Sequence, residues 1–176
     1  MFETSDEVSW LQDLLDRSHA SATEHLRGII NETRTLRASE IIGLMSGMRT
    51  LNLATVTASC EPRISAVDGH LLHAHWVFST SRTAAKARHI AARPAVSATY
   101  LEGEDLAVFT HGHAFQIAED DERFDETLSY LSAHYGSSPL SWGDTALYRI
   151  EPTWVVGYAS QRDDLLASRG VAVAPR

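Results

Sequence analysis

Apolar residues in the first part of the chain recur at the spacing of a helix. They do so over residues 8–15 and again over residues 26–30, and a third, shorter helix is predicted over residues 39–45. We interpret residues 1–38 as an N-terminal helical extension. No residue there indicates chemistry, so we expect the extension to pack against a neighbouring element or subunit.

Beyond the third helix the pattern changes to short, β-branched stretches separated by turns. Strands are predicted over residues 51–58, 63–67, 75–80, 96–101, 106–117, 146–150 and 154–158. Six or seven strands with few and short helices predict a mainly β fold with flanking helices. The expected architecture is a small antiparallel barrel over residues 39–159.

The connections between these strands are predicted from their turn residues and periodicity. Residues 82–92 and 122–135 read as helices, and Asp68-Gly69 predicts the start of a loop between two strands. The polar and small residues 160–176 predict a loosely held tail. We found no internal repeat and no low-complexity segment.

Charge is distributed unevenly along the 176 residues, which carry a net charge of −8. Residues 102–126 hold nine acids against one base, whereas residues 49–93 hold six bases against two acids. General nucleic-acid binding needs a broad basic surface, and this chain does not supply one. Its local basic region suits one small anion instead.

Three further features exclude other classes. No apolar run approaches the roughly 18 residues that a membrane-spanning helix needs, and the acidic start MFETSDEVSW lacks the order of a signal peptide. The single cysteine, Cys60, excludes an internal disulfide framework and a multi-cysteine zinc site. We therefore expect a cytoplasmic protein without membrane or nucleic-acid partners.

The candidate chemistry lies in the segment FSTSRTAAKARHIAARP, residues 78–94. The hydroxyls of Ser79, Thr80 and Ser81 directly precede a predicted helix, whose N-terminus favours anions. On that helix, Arg82 and Lys86 are four positions apart, on one face with the basic residues that follow. The pattern is typical of a phosphate site, and an exposed basic helix with an ordinary cap remains the alternative.

Arg63 opens the predicted strand that precedes this hairpin. If that strand pairs with residues 76–80, Arg63 lies near Thr80, and a cation and hydroxyls meet at one phosphate.

The stretches LATVTASCEPRISAVD and WVFSTSRTAAKARHIAARPAVSATY resemble the pyridoxamine 5′-phosphate oxidase-like, FMN-binding split-barrel superfamily, over about residues 39–158. The resemblance implies an antiparallel split β-barrel and a homodimer with the cofactor at the subunit interface. It assigns the cofactor phosphate to Arg63, Thr80 and Lys86, with Ser79 and Arg82 beside them. It also implies that the flavin edge contacts the following strand, which comprises Ile64, Ser65, Ala66, Val67 and Asp68.

The chain also departs from that family's pattern. The arginine expected directly before the phosphate-binding lysine is Ala85, the glutamine expected against the flavin is Ala107, and residues 159–176 lack an arginine-rich substrate segment. We therefore expect an oxidoreductase of the flavin and deazaflavin branch, using FMN or coenzyme F420 on an unidentified small molecule, and no vitamin B6 oxidation. No side chain stands out as catalytic.

Histidines provide the main alternatives. His73 with His75, and His111 with His113, are spaced so that each pair on a strand would point to one face and could hold a metal, as in a cupin-like protein. We expect surface or cofactor-lining histidines instead, and no metal site. Haem ligation by His111 or His113, in a haem-binding or haem-handling split barrel without flavin chemistry, is the alternative function. Trp142 is a candidate for lining a substrate entrance.

Overall fold

The computed structural model describes residues 2–174; Met1 of the predicted extension and residues 175–176 of the predicted tail lie outside the described residues. The helices are α1 (Ser5–Ser21), α2 (Glu24–Ile29), α3 (Ala38–Leu44), α4 (Ala85–Ala92), α5 (Phe124–Tyr135) and α6 (Arg162–Ser168). The strands are β1 (Met48–Val56), β2 (Pro62–Leu72), β3 (His75–Ser81), β4 (Ala95–Glu102), β5 (Leu106–Gln116) and β6 (Thr145–Ala159). A 3₁₀ turn at Pro139–Ser141 precedes β6.

The six strands form one closed antiparallel barrel in the order β1-β2-β3-β6-β5-β4. This confirms the predicted mainly β fold with an N-terminal helical segment. Buried and exposed positions alternate along β1 and β4, as expected of strands with one face in a core.

The predicted loop at Asp68-Gly69 is wrong, because β2 continues through both residues to Leu72. Gly69 pairs with Arg49 on one side and Phe78 on the other, and a Cβ there would lie 2.4 Å from Cδ1 of Leu51. The glycine therefore makes room for a core side chain and does not form a turn. The reversal comes at residues 73–74, which both have positive φ.

The two last predicted strands are one strand, β6. A register shift opposite His111 and Gly112 accommodates Pro152 without ending the strand. At this bulge the backbones approach so closely that a Cβ on Gly112 would lie 2.2 Å from the carbonyl oxygen of Glu151. The proline alone predicts a break between two strands. The strand nevertheless continues, because its pairing with β5 resumes on the other side of the register shift.

The helical segments contribute to the same core as the barrel. Leu11, Leu14 and Leu15 of α1 and Leu166 of α6 are buried in a cluster with the inward side chains of the strands. The prediction of a loose tail is wrong for residues 160–174, because α6 is anchored there by the buried side chain of Arg162. None of the described helices is long and apolar enough to cross a membrane.

Candidate functional site

The barrel opens between β2 and β3. The two strands pair only from Gly69 to Leu72, opposite His75 to Phe78, and no described strand pairs with the free edge of residues 62–68. The backbone N–H and C=O groups on that edge are therefore available to a ligand or to another chain. The residues on it are those that the resemblance assigns to the flavin edge.

Helix α4 begins later than predicted, and this changes the basic face. It starts at Ala85 after an extended Ala84, while Ser81 and Thr83 hydrogen-bond each other in the preceding turn. Arg82 therefore does not lie on the helix with Lys86, so the predicted single face is wrong for Arg82. Its guanidinium binds the carboxylate of Asp144, with Nε 3.1 Å from Oδ1.

Three polar groups on β3 and α4 have no partner among the residues that the structure describes. The hydroxyls of Ser79 and Thr80 and the ammonium of Lys86 form no hydrogen bond or ion pair with residues 2–174, although all three residues are half-buried. Half-buried donors without partners are the groups that an anion can use. Among the predicted site residues, Ser79, Thr80 and Lys86 therefore have the strongest chemical indication of anion binding.

The backbone of Arg63 on β2 lies close to α4. Its backbone oxygen accepts a hydrogen bond of 3.5 Å from the hydroxyl of Thr55, which also lies 3.0 Å from Nδ1 of His89 on α4. His89 is one turn from Lys86, so β2 and α4 meet here. The expected pairing of the Arg63 strand with residues 76–80 is wrong, because β2 pairs with β3 only from Gly69 to Leu72 and Arg63 lies outside the paired part.

The Arg63 side chain is exposed and forms an ion pair of 2.7 Å with the equally exposed Glu61. Such surface pairs contribute little free energy, so this pair is easily exchanged for a phosphate. Arg63 thus lies on the part of β2 that is near α4, and the free strand edge leads from it to Asp68.

Sequence reasoning missed a buried polar cluster beside the other end of this edge. His70 on β2 is fully buried under α5, with Nδ1 3.2 Å from the hydroxyl of Tyr130 and Nε2 2.9 Å from that of Tyr135. Burial, and secondarily the nearby His134, lower the pKa of His70 to about 4, so it is neutral at pH 7. The spacing of Tyr130 and Tyr135 on a predicted helix does not indicate that both hydroxyls contact His70 on β2.

The two histidine pairs considered for the metal alternative have different surroundings in the structure. Nδ1 of His73 lies 3.1 Å from Glu7 and 2.9 Å from Arg123, whereas His75 stacks on Trp10. His111 and His113 are exposed on one face of β5, and the described residues include no group of three or more His, Cys, Asp or Glu that could hold a metal.

The chain matches the family model described as pyridoxamine 5′-phosphate oxidase over residues 40–158, which is more than half of its length. The chain belongs to the pyridoxamine 5′-phosphate oxidase family. No curated protein matches it. The matched region begins within α3 and ends within β6, so it contains the whole opening between β2 and β3.

Solved structures with the same fold include proteins that are described as having different functions. A protein of unknown function from Agrobacterium tumefaciens, Atu2129, is 19% identical, with a TM-score of 0.60 over 78% of this chain and 58% of its own. The haem storage protein HutZ of Vibrio cholerae is 22% identical, with a TM-score of 0.55 over 64% and 89%. An F420 reductase is 20% identical, with a TM-score of 0.52 over 64% and 92%. This chain therefore spans less than two thirds of the Agrobacterium protein, and these likenesses concern the fold.

Proposed function

We propose that this protein is an oxidoreductase that binds FMN or coenzyme F420 in the opening between β2 and β3. The observation that carries the proposal is the set of unpartnered donors on Ser79 and Thr80 of β3 and on Lys86 of α4, together with the free edge of β2. Arg63 and Lys86 would hold the cofactor phosphate by charge-assisted hydrogen bonds, and Arg82 would add charge from the turn before α4.

The free edge of β2 would orient the cofactor ring. Backbone groups of Ile64, Ser65, Ala66, Val67 and Asp68 are unpaired by any described strand on that side and would hydrogen-bond the polar edge of the ring. The bound cofactor would supply hydride or electron transfer, and the protein would supply its binding and orientation. Ala107 and Ala85 offer no polar contact, which argues against vitamin B6 oxidation.

We further propose a homodimer across the outer face of β1, β2 and β4. Ile64 is 72% exposed and Leu101 is 49% exposed, and around them lie small or uncharged residues such as Asn52 and Ala66. Apolar side chains in such a flat, weakly charged face favour contact with a second copy. Dimerisation would also cover the open edge of β2.

Titration of the purified chain with FMN and with F420 tests the proposal, and an absorption spectrum of the protein as purified reports a retained cofactor. Lys86→Ala should weaken binding about 10- to 100-fold, because one charge-assisted hydrogen bond is lost. Arg88→Ala, on the exposed side of the same helix, is the matched control and should bind as the wild type does. If the chain binds neither FMN nor F420, the proposal is refuted.

Haem binding without flavin chemistry is the second candidate. His111 and His113 are exposed on one face, and the His111 ring stacks on Trp154 at 4.8 Å. An exposed imidazole can serve as an axial ligand. A Soret band that disappears in His111→Ala or His113→Ala would favour this function over the first.

A further inference from the structure

A cavity of about 630 Å³ lies where the two ends of the described chain come together. Its walls come from α3, from the last residues of β2, from Tyr130 of α5, from Phe2 and Glu3, and from residues 169–174. None of the described residues that the proposed function assigns to the cofactor lines it. Its size and its mainly apolar walls are those of a site for a small organic molecule.

The wall formed by residues 169–174 is held in place at two points. The backbone N–H of Ala174 donates to the buried carboxylate of Glu40 at 2.8 Å. Val171 packs closely against α3, where a Cβ on Gly43 would lie 2.8 Å from Cγ1 of Val171. This side of the cavity is therefore preformed, so that a ligand does not have to order it on binding.

The opposite wall is held by the start of α1. Thr4 and Glu7 form a capping box, in which the hydroxyl of Thr4 accepts the N–H of Glu7 at 3.2 Å and the Glu7 carboxylate accepts the N–H of Thr4 at 2.7 Å. The ring of Phe2 lies edge to face with that of Tyr130, with 5.0 Å between the centroids. Glu3 lies between these two contacts and lines the cavity.

The Glu3 carboxylate has one oxygen without a partner. Oε2 accepts the N–H of Phe2 at 3.1 Å, whereas Oε1 is buried and forms no hydrogen bond with residues 2–174. Among the described side chains that are not exposed, Oε1 of Glu3 is the one buried nitrogen or oxygen atom in this condition. A buried carboxylate oxygen without a donor has lost its hydration without compensation, and a donor on a ligand would supply the missing hydrogen bond.

The charges around the cavity select the kind of donor. Of the described residues, two charged ones line it, Glu3 and Arg169, and the Arg169 guanidinium forms an ion pair with the carboxylate of Glu102. A cationic N–H donor would therefore gain a charge-assisted hydrogen bond at Glu3. The last torsion of a glutamate side chain is broad, so the carboxylate can turn either oxygen towards the cavity.

We propose that this cavity binds an organic ammonium with an apolar body, whose nitrogen pairs with the Glu3 carboxylate. The body packs against the apolar walls, which are formed by Phe2, Ile42, Leu71, Leu72, Val171 and Val173. Apolar burial and charge pairing act on different parts of such a ligand, so an anion of the same shape binds more weakly. The site is separate from that of the proposed cofactor and does not depend on it.

Three probes with one chain and different head groups test this site: n-octylammonium, 1-octanol and n-octanoate. Isothermal titration calorimetry of the full chain at pH 7 measures their affinities, and octanol reports the contribution of the apolar chain alone. The methyl signals of Val171 and Leu71 in NMR spectra locate the binding. We expect octylammonium to bind at least about 10-fold more tightly than octanoate. A smaller preference, or octylammonium that leaves both methyl signals unmoved, would overturn the proposal.

A variant and its control separate the Glu3 carboxylate from the overall charge. The control is needed because a chain with a net charge of −8 attracts cations in general. Glu3→Gln should reduce the preference to within about 2-fold, whereas Glu104→Gln, which removes the same charge from the exposed β4–β5 turn, should keep it. A preference that survives in Glu3→Gln, or that Glu104→Gln abolishes equally, overturns the role of Glu3. Thermal melts verify that each variant is folded.

A larger side chain on the wall tests the location. Ala172→Phe places a ring at the cavity and should weaken octylammonium binding at least about 10-fold. Ala167→Phe, at an exposed position of α6 outside the lining, is the matched control and should bind as the wild type does. Unchanged binding by Ala172→Phe would show that the ammonium binds elsewhere.

Cofactor titrations distinguish the two proposals. Saturating FMN or F420 should leave the affinity for octylammonium unchanged, because the cofactor residues do not line the cavity. If octylammonium displaces the cofactor, the ammonium occupies the cofactor opening and this inference fails, while the proposed function stands. If neither cofactor binds but the charge preference is present and depends on Glu3, the proposed function fails and the ammonium site stands.

Discussion

The Glu40 carboxylate joins three parts of the chain at one buried point. It receives the guanidinium of Arg162 from α6, with one contact at 3.0 Å, and the backbone N–H groups of Arg37 and Ala174 at 3.0 and 2.8 Å. Both side chains of the ion pair are almost completely buried. A charge in that position depends on its partner, because an unpaired buried ion loses its hydration without compensation.

Glu40→Gln should lower the free energy of unfolding by about 3 kcal/mol, since it removes the buried counterion of Arg162 and leaves its guanidinium with only the exposed carboxylate of Asp163. Urea denaturation at pH 7 measures the change. Adding Arg162→Met should recover about half of the loss, because the buried charge without a buried counterion is then gone. If the double variant is less stable than Glu40→Gln alone, the explanation by an uncompensated charge is incorrect.

His70 should make stability depend on pH. Its pKa of about 4 in the folded chain lies below the ordinary value of 6.5, so the unfolded chain binds one more proton between those values. The stabilisation is therefore complete above about pH 6.5 and decreases as the pH falls towards 4, by about 1.4 kcal/mol per unit.

In urea denaturation, the wild type should lose about 2 kcal/mol more than His70→Asn between pH 7 and pH 5, since Asn cannot take up the proton. The lowered pKa values of Glu7 and Asp121 act at lower pH and are common to both proteins. Equal losses in the two proteins would contradict the account of His70.

At the scale of elements, the long β5–β6 ribbon depends on close backbone contact at its bulge. Gly112 lies where the register shifts, and a Cβ there would meet backbone atoms of Glu151 and Pro152 and no flexible side chain. Backbone atoms cannot yield without breaking the pairing of the two strands.

Gly112→Ala should therefore destabilise the protein by about 2–3 kcal/mol, measured as a fall in the melting temperature and in the urea midpoint. Gly28→Ala is the matched control, because a Cβ at that helical position meets nothing within 4 Å and alanine favours helices. An equally stable Gly112→Ala protein would show that the bulge can relax.

At the scale of the whole molecule, the exposed face of β1, β2 and β4 is the proposed dimer contact. Ile64→Asp would place a charge in the centre of the proposed dimer contact, and we expect a monomer at micromolar concentration where the wild type is a dimer. Analytical ultracentrifugation measures this, and cofactor affinity should fall with it. Ile29→Asp, at an exposed isoleucine on α2, should remain dimeric; an unchanged mass of Ile64→Asp would place the contact elsewhere.

Periodicity by itself determined most of the elements of this protein. The three N-terminal helices, the barrel class, β4, β5 and α5 all follow from patterns of neighbouring residues, because apolar spacing and turn residues act locally. The errors at Asp68-Gly69, at Pro152 and in the tail have one cause. At each of them a contact from a distant strand or helix overrides the local preference.

Tertiary structure decided how the candidate site is arranged. The residues from Arg63 to Lys86 were found in the sequence, but strand register leaves Arg63 outside the paired part of β2 and β3, and the late start of α4 removes Arg82 from the helix. The cluster around His70 depends on a helix packing 60 residues further along the chain, over the outer face of β2. Spacing within one segment cannot encode such a contact, because it arises only when the strand and the helix fold together.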